Sequence, residues 1–152
     1  MSELSNPYDQ EDGAMGTGGV IIPDAIGNTA NFWNGLSEGK LLLQRCARCS
    51  QTWHPPLDVC PACQSLDIKW QTSVGTGVLY SFTTVHHPVH SIVEQWVPYT
   101  LCLVTLDEGP RILALFEIDN EHTPSIGDRV AVRFRTVSPH LKLSVFARSI
   151  ES

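Results

Sequence analysis

Cys46-Ala47-Arg48-Cys49 and Cys60-Pro61-Ala62-Cys63, separated by the ten residues 50–59, decide how the rest of this 152-residue chain is read. Two Cys-x-x-Cys turns at this distance aim four sulfurs at one centre, the ligand pattern of a tetrahedral Zn²⁺ site. Four thiolates leave no coordination position open, so the site reads as structural rather than catalytic. Thiolate selects zinc or iron over magnesium, calcium or manganese. A rubredoxin-like iron site uses the same four ligands, and the spacing leaves that alternative open. Disulfides fit less well, because they need an oxidising compartment and residues 1–28 lack the basic start and apolar stretch of an export signal. A redox-active Cys-x-x-Cys follows a strand and opens a helix. Here the pairs are doubled and lie among Pro55, Pro56 and Pro61.

The loop between the pairs supports a metal. Its larger apolar side chains are Trp53, Leu57 and Val59. That is too little to bury a core, and chains below about 40 residues generally need a metal or disulfides to fold. Structural zinc contributes roughly 10–16 kcal/mol in apparent terms in finger peptides near neutral pH. The prolines restrict the unfolded loop and lower the entropy lost on folding.

Upstream, residues 29–38 read as a short helix, with Thr29 or Asn31 as cap and Gly39 at its end. Phe32, Trp33 and Leu36 give it one apolar face. So short a helix is not stable alone, so that face must pack on the metal module or on another protein. Lys40–Arg45 reads as a strand into the first cysteine pair, with Gln51–His54 returning antiparallel. Ile68, Trp70 and Val74 alternate with polar residues on the way out of the ribbon. Residues 1–28 are polar and acidic, with Gly13, Gly16, Gly18 and Gly19 clustered, and are expected to form a flexible arm. Within it Val20-Ile21-Ile22-Pro23 is an apolar patch able to dock on a partner or on its own domain.

Downstream of Gly75 the texture changes to alternating strands separated by turn signals. Five are expected, at about Gly77–His86, Tyr99–Leu106, Arg111–Ile118, Arg129–Val137 and Leu141–Ala147. Five strands without a long helix indicate a small antiparallel barrel, of which the five-stranded Greek-key oligonucleotide/oligosaccharide-binding (OB) type is the natural form. Closure hides edges that a flat sheet would expose. The helix usual between the third and fourth OB strands has no obvious sequence here. The expected organisation is therefore mainly β: arm 1–28, helix plus rubredoxin-like zinc ribbon 29–74, OB barrel 75–152.

Charge narrows the function. The net charge is −6, yet Glu3, Asp9, Glu11, Asp12 and Asp24 all precede residue 32, which leaves eleven acids against ten bases in residues 32–152. A nucleic-acid binder shows a clear basic excess, and an aromatic content of 8% leaves little for base stacking. No apolar run approaches the roughly 20 residues of a membrane span. A cytoplasmic protein with reduced thiols is expected.

The order Phe32-Trp33-x-x-Leu36-x-x-Gly39-Lys40-Leu41, Gln44-Arg45-Cys46-x-x-Cys49, His54-Pro55-Pro56, Cys60-Pro61-x-Cys63 resembles the zinc-ribbon/OB-fold proteins of the domain-of-unknown-function 35 family. Gly75-Thr76-Gly77-Val78-Leu79-Tyr80-Ser81-Phe82, Pro98-Tyr99, Leu106-Asp107-Glu108-Gly109 and Ile126-Gly127-Asp128-x-Val130 extend the resemblance over about residues 31–148. It implies zinc at Cys46, Cys49, Cys60 and Cys63. It also implies a non-catalytic accessory subunit of thiolase-like enzymes, or of acyl-CoA hydratase or aldolase systems. Such a subunit holds the complex together and helps line a coenzyme A or acyl channel. The catalytic residues would then belong to the larger partner. The arm before residue 28 falls outside the pattern.

No catalytic constellation is legible within the chain. His86-His87-x-x-His90 with Glu94 has spacing that fixes no metal geometry and reads as loop histidines, solvated or facing a partner. Cys102, inside Leu101-Cys102-Leu103-Val104, reads as a buried free thiol. Arg133 and Arg135 alternate with Val132 and Phe134 and so share one face. That face could meet coenzyme A phosphates or solvent. Two other functions remain in view: a nucleic-acid-binding ribbon/OB module, by fold analogy, and a stand-alone acyl-CoA binder.

Overall fold

The computed structural model describes Pro23, residues 25–119 and residues 123–149. Most of the expected arm, residues 1–22 and 24, lies outside the described residues.

A 3-10 turn at Gly27–Thr29 runs directly into helix α1 (Ala30–Ser37). Thr29 occupies the N-cap position but its side chain does not cap. Its backbone is already helical (φ −92°, ψ −14°), and its hydroxyl donates back to the Ile26 carbonyl at 2.9 Å. The helix stops as its sequence dictates. Gly39 takes φ +76°, and the Gly39 and Lys40 N–H groups bond the Leu36 and Gly35 carbonyls at 2.9 and 2.8 Å, a Schellman closure.

The ribbon is a three-stranded antiparallel sheet in the order β2-β1-β3, formed by β1 (Leu42–Cys46), β2 (Thr52–Trp53) and β3 (Ile68–Thr72). β1 is central, with Gln44 opposite both Trp53 and Trp70.

The barrel comprises β4 (Thr76–Val85), β5 (Tyr99–Leu106), β6 (Arg111–Glu117), β7 (Arg129–Ser138) and β8 (Leu141–Arg148). It closes in the order β4-β5-β6-β8-β7. β5 shows the alternation cleanly: Thr100, Cys102, Val104 and Leu106 are buried and the residues between them are half-exposed. The barrel is antiparallel at every contact but one, where β6 pairs with β8 in parallel. Strands that alternate in direction cannot close an odd-numbered ring without one parallel contact. The Greek-key return of β8 between β6 and β7 is where it falls. In the loop before β5, Ser91–Trp96 forms a 3-10 helix.

Two close approaches set the shape. A Cβ on Gly77 would lie 2.4 Å from the Thr105 carbonyl oxygen, so only glycine lets β4 run this near β5. A Cβ on Gly35 would lie 2.7 Å from Leu42 Cγ, which lets α1 sit on the ribbon strand.

Phe32 and Leu36 of α1, Leu41, and Leu43 of β1 join Leu79, Val104, Ile112, Phe116, Val130 and Phe146 in one buried cluster. The helix thus packs on β8 as well as β1, not on the metal module alone. A smaller cluster of Cys46, Trp53 and Cys60, with Cys63 and Ile68 against it, lies under the knuckles. Polar clamps fix the junction. Glu108 Oε1 accepts the Val74 N–H at 2.7 Å, and Asp107 accepts both Arg129 nitrogens at 2.7 and 2.9 Å and the Thr76 hydroxyl. No helix among the described residues is long and apolar enough to cross a membrane.

Candidate metal centre

The two knuckles are built alike. In the first, Cys46 ends β1, its N–H bonds the Gln51 carbonyl at 2.9 Å, and the Ser50 N–H returns to the Cys46 carbonyl at 3.0 Å. In the second, the Cys60 N–H bonds the Ser65 carbonyl at 3.0 Å and the Gln64 N–H returns to the Cys60 carbonyl at 2.9 Å. Ser50 and Gln64 both adopt positive φ, 64° and 60°. Each follows the second cysteine of its pair and reverses the chain so that both sulfurs face inward.

The four sulfurs lie within 4.8 Å of one another. Cys46 Sγ is 3.6 Å from Cys63 Sγ, and Cys49 Sγ is 3.6 Å from Cys60 Sγ. A disulfide is about 2.05 Å long, so these are separate thiols. The edge of a tetrahedron with Zn–S bonds of about 2.3 Å is about 3.8 Å, close to what the pairs show. The donor set therefore fits a tetrahedral thiophilic ion.

Electrostatics favours the same conclusion. The backbone N–H of Cys49 brings the Cys46 thiol down to about 6 against the effect of burial, with help from the Arg48 N–H. The distances are 3.4 and 3.3 Å to Cys46 Sγ. For Cys49 the Gln51 N–H pulls the other way, but burial and three neighbouring sulfurs outweigh it and push the thiol up to about 12. Against burial, the Cys63 and Ala62 N–H groups bring the Cys60 thiol down as well. A cation at the centre stabilises the thiolates together and deprotonates its ligands.

The other residues singled out in the sequence are not brought together into a site. His86, His87, His90 and Glu94 are exposed, and the cysteine set is the one cluster of potential metal ligands among the described residues. Cys102 is 1% exposed, and burial pushes its thiol up to about 12, which suits a core residue and not a nucleophile. Arg133 and Arg135 do share a face, but both are paired with Glu117, at 3.3 and 2.8 Å. With Trp96, Tyr99 and Arg148 they line an open groove of about 590 Å³.

One informative residue appeared in the sequence only as part of a motif. His54 packs on Phe32, ring centroids 5.0 Å apart, and burial brings its pKa down to about 4. The His54-Pro55-Pro56 turn, α1 and β5–β6 enclose a second, apolar groove of about 390 Å³. No sequence spacing links these elements. The Glu108 and Asp107 clamps, reaching 34 and 22 residues along the chain, were equally hidden.

Comparison with known proteins places this geometry among relatives. Residues 33–68 match the ChsH2 rubredoxin-like zinc ribbon domain and residues 70–135 the ChsH2 C-terminal OB-fold domain. A probable enoyl-CoA hydratase alpha subunit of Thermomonospora curvata is 35% identical over 127 residues, covering 83% of this chain and 39% of the relative. The 3-oxo-4,17-pregnadiene-20-carboxyl-CoA hydratase alpha subunit of Mycobacterium tuberculosis is 34% identical over 112 residues, 74% of this chain and 33% of the relative. The chain thus spans little more than a third of the length of these curated relatives. Among solved structures, a chain of the Ltp2-ChsH2(DUF35) aldolase superposes with a TM-score of 0.76 at 33% identity, over 85% of this chain and 100% of that one.

Proposed function

Because the chain belongs to the ChsH2 (DUF35) family of zinc-ribbon and OB-fold proteins, we propose that it is a non-catalytic accessory subunit of an acyl-CoA-processing complex. In this reading the catalytic partner is a thiolase-superfamily enzyme, and the setting is the reducing cytoplasm. The observation that carries the reading is the match to the full length of a chain of the Ltp2-ChsH2(DUF35) aldolase.

Zinc at Cys46, Cys49, Cys60 and Cys63 closes the ribbon and contributes stability, not chemistry. The ribbon, residues 29–74, and the barrel, residues 75–152, share a buried core through α1 and β1. A coenzyme A thioester would meet this chain only at the partner interface. In the open groove of the barrel, Arg133 and Arg135 are both held by Glu117.

Co-expression with a genomically adjacent thiolase-like gene tests the proposal. A stable hetero-oligomer is expected, with the enzyme's activity or solubility reduced when this chain is omitted. An enzyme fully active alone, with no complex on gel filtration, would end the reading. Calorimetry with coenzyme A is expected to give heat with the complex and none with this chain alone, which separates an accessory subunit from a stand-alone acyl-CoA binder.

A further inference from the structure

We propose that Val20-Ile21-Ile22 of this same chain docks in the apolar groove between α1, the His54–Pro56 turn and the outer face of β5 and β6. The groove is walled by Trp33, Pro55, Pro56, Leu101, Leu113 and Leu115. Its floor departs from the barrel's alternation. Leu101 lies opposite Leu115 and Leu103 opposite Leu113, and all four belong to the outward rows of β5 and β6. An outer barrel face is ordinarily polar. Here it carries a leucine quartet, and Leu113 is 66% exposed. A contiguous apolar patch of this kind marks a surface that something covers.

The chain itself supplies the occupant. Thr29, the residue before α1, lines the groove. Its N–H and hydroxyl both bond the Ile26 carbonyl, at 3.2 and 2.9 Å, which fixes the direction from which the chain arrives. Ala25, Ile26 and Gly27 are exposed, whereas Pro23 is half-covered. Val20-Ile21-Ile22 is the one run of three large aliphatic residues in residues 1–28. Ile22 lies seven residue steps before Thr29, a reach of at most about 25 Å when extended. The leucine quartet spans one strand spacing of about 4.8 Å and two residue steps of about 6.8 Å, well inside that reach. β-branched residues favour the extended backbone, which would turn Val20 and Ile22 to the same side. A tether this short gives an effective concentration in the millimolar range, so even a weak contact is filled ahead of a free molecule.

Leucine-methyl NMR of the full chain tests the proposal. On the double substitution Ile21→Asp and Ile22→Asp, the methyl resonances of Leu101, Leu113 and Leu115 are expected to shift. Those of Leu79 and Leu106, inside the barrel, should stay in place and so report that the fold is intact. A synthetic peptide of residues 16–26, added to the double variant, is expected to restore the wild-type positions. Half-saturation should come at or below about 1 mM, the concentration the tether supplies, and the peptide carrying the two aspartates should have no effect. Groove resonances identical in wild type and double variant would overturn the proposal. So would groove resonances that ignore the peptide and move only when the partner protein or an aliphatic ligand is added.

Discussion

Cys60 has no exposed surface, while Cys49, its neighbour across a 3.6 Å contact, faces solvent. The two halves of the cluster should therefore differ in consequence. Cys60→Ser removes a ligand and leaves a hydroxyl in the small core with Trp53. Metal affinity should fall at least about tenfold, since even removing an outer partner of a ligand costs about 10–100-fold. Competition with a chromophoric chelator measures this, and an unchanged affinity would refute four-sulfur ligation. His54 offers a second handle. Burial holds its pKa near about 4, while the unfolded ring titrates near about 6.5. Between those values the unfolded chain binds more protons. Its contribution is thus complete above about pH 6.5 and is lost as pH falls toward about 4, by at most about 1.4 kcal/mol per pH unit. His54→Phe keeps the packing on Phe32 and should flatten that slope. Melting temperatures of the two proteins between about pH 4.5 and 7 provide the check, and the thiolates common to both cancel in the comparison.

At the scale of elements, α1 is held by few but deep contacts. Leu36 is 1% exposed within the shared cluster, so Leu36→Ala should cost about 2–5 kcal/mol in urea unfolding. A helix resting only on the metal module would show a smaller loss. The β4–β5 pairing depends on a missing side chain. Gly77→Ala forces a methyl against the Thr105 carbonyl, and backbone cannot yield as a flexible side chain does. A loss of about 1–3 kcal/mol is expected. Gly109→Ala makes a useful contrast: its Cβ would meet nothing within 4 Å, yet φ is +108°, so any loss there is backbone strain without a clash.

For the whole molecule, the division of the core into two clusters predicts how it comes apart. The knuckle cluster of Cys46, Trp53 and Cys60 has no aliphatic side chain of its own except Ile68 at its margin. The larger cluster runs from α1 through β1 into the barrel. Stripping the metal with a chelator should therefore raise amide exchange over residues 44–68 while β5 and β6 stay protected. Exchange that rises uniformly would mean that ribbon and barrel form one cooperative unit. The outer leucines and the acidic arm belong to this scale too, because what covers them decides which surface a partner meets.

The metal knuckles were legible in the sequence because their chemistry is local: two tight turns place sulfurs that four residue identities specify. The barrel strands were legible for a similar reason, since alternation such as Thr100-Leu101-Cys102-Leu103-Val104 needs no knowledge of the partner strand. The short helix and its end at Gly39 follow from the same short-range rules. What sits against what was decided only in three dimensions. The parallel β6–β8 contact comes from closing a ring of five strands, a global constraint that no strand carries alone. The burial of His54 against Phe32, the Glu108 clamp on Val74 and the pairing of Arg133 and Arg135 with Glu117 join groups from 16 to 34 residues apart. Side chains so separated meet because backbone hydrogen bonding and apolar burial have already brought their strands and turns together.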